Sequence, residues 1–148
     1  MYKRQTEGGL DLISQFDRLK SICDQLNDNG LRVSLFIEPD LRQIETAEKL
    51  KVPVIELHTG TYSELEADDK ENELKRIQRA VDYANELGIE CHAGHGLNFE
   101  NVEPVASIEK ITELNIGHFL IGESIFIGLT SAIGKMKHIM AEARKVEV

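Results

Sequence analysis

An α/β fold with a parallel sheet is predicted by three features of this sequence. Short β-rich runs alternate with amphipathic stretches four times, one further helix precedes the first run, and each connection between runs is long enough to hold a helix. Parallel strands require such crossovers, which are right-handed within one sheet. With 148 residues, 41% of them hydrophobic, the chain can fill one core. A single domain covering residues 1–148 follows.

The preceding helix is read from Leu10 onward, because Leu12, Phe16, Leu19, Cys23 and Leu26 recur at three- and four-residue steps before Asn29 and Gly30 supply a stop. The first strand is residues 32–38 (RVSLFIE), ended by Pro39 and Asp40, and Leu41, Ile44, Ala47 and Leu50 mark the helix behind it. Residues 53–60 (PVIELHTG) form the second strand. A polar loop over residues 61–70 leads to a helix carrying Leu74, Ile77, Val81, Ala84 and Leu87, stopped at Gly88. The third strand is residues 89–95 (IECHAGH), with a short helix over residues 101–108 after it. The fourth strand is placed near residues 116–121, and the last helix carries Leu129, Ile133, Met136, Met140 and Ala143.

Two architectures share this element order: an open doubly wound sheet and a parallel (β/α)8 TIM-type barrel. A barrel takes ~250 residues, so only about half of one, four βα units and a preceding helix, would be present. Strands of a doubly wound sheet are apolar on both faces. These strands are half polar: Val33, Leu35 and Ile37 oppose Ser34, Phe36 and Glu38, and Ile55 and Leu57 oppose Glu56 and His58. The half-barrel is therefore the expected fold.

The formal net charge of -9, without a Lys/Arg-rich run, argues against nucleic acid or an anionic membrane surface as partner. No apolar stretch approaches the ~20 residues that span a bilayer, and no signal-peptide core is visible, so a cytoplasmic location is expected. Cys23 and Cys91 have no CxxC or Cys/His quartet around them and read as reduced core thiols.

The chemistry-bearing groups collect at strand C-terminal ends, where barrel enzymes keep their catalytic residues: Glu38, then Glu56 and His58, then His92 and His95. Carboxylates and imidazoles at such a rim suit general acid/base work, although Glu56 and His58 also fit as satisfied interior polar groups. Gly94 and Gly96 flank His95 and would let backbone amides approach a phosphate. Two turn glycines around a surface histidine fit the triplet equally well. Gly122 and Glu123, read as the junction of the last strand and last helix, form a second candidate anion site. A metal at His92 and His95 is disfavoured, because a strand end splays the two side chains. His118 is read inside the last strand, His138 as solvent-facing, and residues 64–73 as a solvated acidic loop and helix start.

Five strings, TEGGLD at residues 6–11, VSLFIE at 33–38, IELHTG at 55–60, AGHGL at 93–97 and LNIGHFLIGES at 114–124, resemble the pyridoxine 5'-phosphate synthase family in unbroken order over residues 6–145. The resemblance implies a (β/α)8 barrel that condenses 1-deoxy-D-xylulose 5-phosphate with 3-amino-2-oxopropyl phosphate. It implies no metal or organic cofactor, and homo-oligomers, commonly octamers. By the same resemblance His95 is the proton donor, Glu56 stabilises the transition state, Gly96 binds the amino-ketone phosphate and Thr6 lies at a contact to the deoxyxylulose phosphate. Gly122 and Glu123 align with a phosphate-binding pair that is Gly-Arg in some members, so here backbone amides would do the binding. Residues 1–5 do not match and read as a truncation start or a sequence artefact. The resemblance puts an Asn-x-Asp motif, a His-x-Arg motif and a glutamate, including two general bases, in a first half that precedes TEGGLD.

Overall fold

In the computed structural model, which describes residues 8–145, four parallel strands lie in the order β1-β2-β3-β4. They are β1 (Ser34–Ile37), β2 (Val54–His58), β3 (Glu90–Gly94) and β4 (Ile111–Asn115). Helix α1 (Phe16–Asp28) precedes β1, and α2 (Leu41–Lys49) joins β1 to β2. Helices α3 (Gly60–Glu64) and α4 (Ala67–Glu86) join β2 to β3, and α5 (Val102–Ala106) joins β3 to β4. Helices α6 (His118–Ile127) and α7 (Leu129–Arg144) follow β4. Strand order that never reverses, with a crossover at each step, is an arc of a barrel; a doubly wound sheet reverses at its crevice.

The strand register explains the two faces. Phe36, Glu56, His92 and Glu113 stand in one row across the sheet, and Ile37, Leu57, Ala93 and Leu114 in the next. Successive rows point to opposite faces. Leu35, Ile37, Ile55, Leu57, Cys91 and Ala93 are buried in one core with Cys23 of α1, Ile44 of α2, Ile77 and Val81 of α4, Val102 of α5 and Met136 of α7. Ile55 is fully buried, so truncating it to alanine would cost about 2–5 kcal/mol in transfer and cavity terms. The opposite face carries the polar row.

Local chemistry sets the helix ends. The Asp40 side chain caps α2 by accepting from the Arg42 amide at 2.8 Å. Asp68 and Asp69 sit in the first turn of α4, against the positive end of its dipole. Both α1 and α4 end in the paired bonds of a Schellman motif: the Leu31 amide reaches the Leu26 carbonyl at 3.0 Å, and the Ile89 amide reaches that of Ala84 at 2.9 Å.

Three expectations are corrected. The first helix begins at Phe16 and not near Leu10, because the Leu10 amide bonds the Phe36 carbonyl of β1 at 2.8 Å and the Leu12 amide bonds Gln43 at 2.8 Å. Tertiary bonds thus claim the backbone that would have opened the helix. The polar loop expected over residues 61–70 holds a one-turn helix, α3, and Glu73 of the acidic stretch 64–73 is buried against Arg76 and not solvated. The fourth strand is Ile111–Asn115, while residues 116–121, expected to form it, lead into and open α6. β4 shows Thr112, Glu113 and Asn115 to solvent, so its apolar signal is only Ile111 and Leu114. His118, expected inside that strand, is the exposed first residue of α6; His138 is exposed as expected. Among the described residues no helix is long and apolar enough to cross a membrane.

Candidate active site

At the C-terminal ends of the strands lies a cavity of about 670 Å³. Phe36 of β1 and Glu56 of β2 form part of its wall. His95, Gly96, Leu97 and Asn98 come from the loop after β3, and Asn115, Ile116, Gly117, His118 and Phe119 from the junction of β4 with α6. Glu56, His95 and Gly96, three of the residues singled out from the sequence, are therefore brought to one space.

Glu56 is half-buried on the polar face, and burial pushes its carboxyl above the usual carboxylate range, while the Asn115 amide and nearby His92 pull the other way. A carboxyl with raised proton affinity and an exposed imidazole that line one cavity are groups suited to general acid/base chemistry.

His95 occupies the left-handed region at φ 80°, a conformation that non-glycine residues seldom adopt. Thr59, fully buried at the end of β2, holds that turn. Its hydroxyl lies 2.8 Å from the Gly94 carbonyl and 2.7 Å from the His95 carbonyl, and its amide donates to the Gly94 carbonyl at 2.8 Å. Asn101 secures the other side, donating to the Gly96 carbonyl at 3.1 Å and accepting from the Asn98 amide at 2.7 Å. The strained turn is over-determined by neighbours, which is the condition for such a backbone conformation to persist.

Behind His95 lies a second histidine. His58 Nδ1 is 2.7 Å from Glu38 Oε1, and its ring packs 4.9 Å from that of His95 and edge-on to Phe36 at 5.2 Å. The His58 hydrogen bond holds the Glu38 carboxyl below its usual range, with help from Arg76 and the Gly9 amide and against some desolvation.

Other candidates sit elsewhere. His92 lies on the polar face with Nε2 2.8 Å from Glu90 Oε1, whereas His95 turns out at the strand end; among the described residues no cluster of three His, Cys, Asp or Glu side chains could hold a metal ion. Cys23 and Cys91 are both free and buried. Thr6 lies outside the described residues. Gly122 and Glu123 do not end a strand: they sit in the second turn of α6, where the helix engages backbone amides, and they do not line the cavity. Gly117 and His118 hold the place assigned to them. Gly117 is the N-cap of the ten-residue α6, no side chain among the described residues caps that end, and the first amides of a helix lack internal partners. The sequence signal was available, since glycine ahead of an apolar run is a permitted N-cap.

The chain is similar to proteins of one family. The family described as pyridoxal phosphate biosynthesis protein PdxJ matches residues 2–142. A pyridoxine 5'-phosphate synthase of Zymomonas mobilis is 55% identical over 142 residues, covering 96% of this chain and 56% of the relative. One from Rhodospirillum rubrum is 53% identical over 95% of this chain and 57% of its own length, and one from a Sulfurihydrogenibium species 46% identical over 97% and 60%. The chain thus spans little more than half the length of these relatives, in keeping with half a barrel. It belongs to the PdxJ family of pyridoxal phosphate biosynthesis proteins.

Proposed function

We propose that this chain supplies the C-terminal half of a pyridoxine 5'-phosphate synthase active centre, which joins 1-deoxy-D-xylulose 5-phosphate to 3-amino-2-oxopropyl phosphate with release of phosphate and water. The observation that carries the reading is the single cavity that holds Glu56, His95, Gly96 and the uncapped start of α6. His95 donates a proton there, and Glu56 stabilises charge that develops in the transition state. A substrate phosphate is received by Gly96 and by the amides at Gly117 and His118, in place of Gly122 and Glu123. Other general bases come from the half of the barrel that this chain does not hold. The ligands are small phosphorylated molecules and not nucleic acid, no cofactor takes part, and the assembly is a cytoplasmic homo-oligomer.

The test is turnover in a full-length context, with the N-terminal portion of the Zymomonas mobilis relative fused ahead of Thr6. His95→Ala is expected to lower kcat by about 10²–10⁴, the usual worth of a positioned acid or base. An unchanged rate would remove His95 from the chemistry.

A second reading concerns the chain by itself, which is inactive and self-associates. It is favoured by Ile121, Ile125 and Phe126 of α6, which are 61%, 80% and 83% exposed, and by β4, which has one strand neighbour among the described residues. Light scattering of the purified chain decides: a stable monomer counts against it.

A further inference from the structure

The cluster behind the cavity has a part in the site that Glu56 and His95 do not explain. His58 is buried, yet it does not line the cavity. One ring nitrogen, Nδ1, meets the Glu38 carboxylate at 2.7 Å, while the other, Nε2, is buried with no hydrogen-bond partner among the described residues. A carboxylate only accepts, so the shared proton belongs to Nδ1 in the neutral ring and Nε2 is left bare. An unpaired buried nitrogen costs stability, and its retention beside a strained histidine calls for a reason.

Glu38 is itself fixed from three sides: by the His58 ring, by the Gly9 amide and by Arg76, whose guanidinium lies 3.7 Å from Oε2 and also donates to the Pro39 carbonyl at 2.9 Å. The ring fixed in this way is the surface against which the His95 imidazole rests, at 4.9 Å between centroids and 52° between planes. Gly60 keeps the space open, because a Cβ there would overlap His58 Nε2 and come within 3.1 Å of His95 Cδ2. The same residue cannot gain even a methyl group without moving both rings.

We propose that Glu38 and His58 are positioning residues for His95: Glu38 holds the Nδ1–H form of His58, and the His58 ring sets where the His95 imidazole stands over the cavity. This rests on the reading of His95 as the proton donor. A misplacement of about 1 Å at such a group can cost about a hundredfold in rate, so a rigid backing is worth an unsatisfied nitrogen.

The test has two arms. Long-range nitrogen–proton NMR of the histidine rings in the 148-residue chain should show Nδ1 of His58 protonated and Nε2 bare, and Glu38→Leu should move the His95 ring signals. Protonation of His58 on Nε2 alone, or His95 signals unmoved by Glu38→Leu, would overturn the proposal whether or not the enzyme turns over. In the full-length fusion Glu38→Leu should lower kcat about tenfold or more with KM within about threefold, the pattern of a lost transition-state arrangement. Glu38→Gln keeps an acceptor oxygen and should recover most of that loss. An unchanged kcat in Glu38→Leu, or a rise in KM alone, overturns the positioning role. Failure of the underlying reading shows separately, as a His95→Ala enzyme that is still active. If Glu38→Leu does not fold, Gly60→Ala must shift the His95 ring signals; signals that stay in place overturn the proposal.

Discussion

The hydroxyl of Thr59 lies 2.7 Å from the carbonyl oxygen of His95, a residue 36 positions further along the chain. That contact, with the one to Gly94, ties the end of β2 to the turn after β3. Thr59→Val preserves shape but leaves buried carbonyls short of a donor, at a cost of about 1–3 kcal/mol. Denaturant unfolding should show that loss, and Thr59→Ser should restore most of it. Equal stability of the valine and serine variants would contradict the role.

Gly96 stands at φ 79°, and a Cβ on it would overlap the Ser63 hydroxyl. Gly96→Ala therefore meets both backbone strain and a clash, and we expect about 1–3 kcal/mol of destabilisation. Ser63→Ala in the same chain should relieve only the hydroxyl part of the clash, because the Cβ of residue 63 would still lie 2.7 Å from the added methyl group, and should leave the strain. A Gly96→Ala chain as stable as the parent would show the turn to be looser than its geometry.

Glu56 carries a raised carboxyl because burial opposes its charge. A raised value means that the charged form costs stability above the folded pKa, and that this cost disappears as pH falls below the unfolded value. Glu56→Gln removes the charge. It should be neutral or stabilising at pH 7, by at most about 1 kcal/mol after solvent screening, while lowering turnover of the full-length enzyme. Loss of stability at pH 7 in this variant would refute the argument.

Glu38 shows the opposite sign, since His58 and Arg76 hold its carboxyl below the usual range. Its contribution is present above the unfolded glutamate value of about 4.3 and is lost as pH falls through the lower folded value. The stability difference between the parent and Glu38→Gln should be present at pH 6 and absent at strongly acid pH. A difference of the same size at both would sink the assignment.

The Cys91 thiol is pushed up to about 12 by burial, and the buried Cys23 thiol is raised for the same reason, with Asp24 adding to it. Neither should react with an aromatic disulfide reagent at pH 8 in the folded chain, and both should react on unfolding. Rapid labelling of either thiol in the native state would place it nearer the surface.

Side-chain periodicity alone was enough to order the first three strands, to separate an apolar face with Leu35 and Leu57 from a polar one with Glu56, and to set His95 at the end of β3, whereas Glu56, expected at a strand end, is the middle residue of β2. Those features depend on the alternation of neighbours along the chain, which one sequence records. Other features were set by partners distant in sequence. Leu10 leaves its helix for a bond to Phe36, β4 forms from a weakly apolar segment because β3 supplies its hydrogen bonds, and the following apolar run coils into α6 with Gly117 at its start. The pairing of Glu38 with His58 and the grip of Thr59 on His95 join residues 20 and 36 positions apart. Local propensity carries no record of such contacts, because they exist only after the strands have been brought side by side.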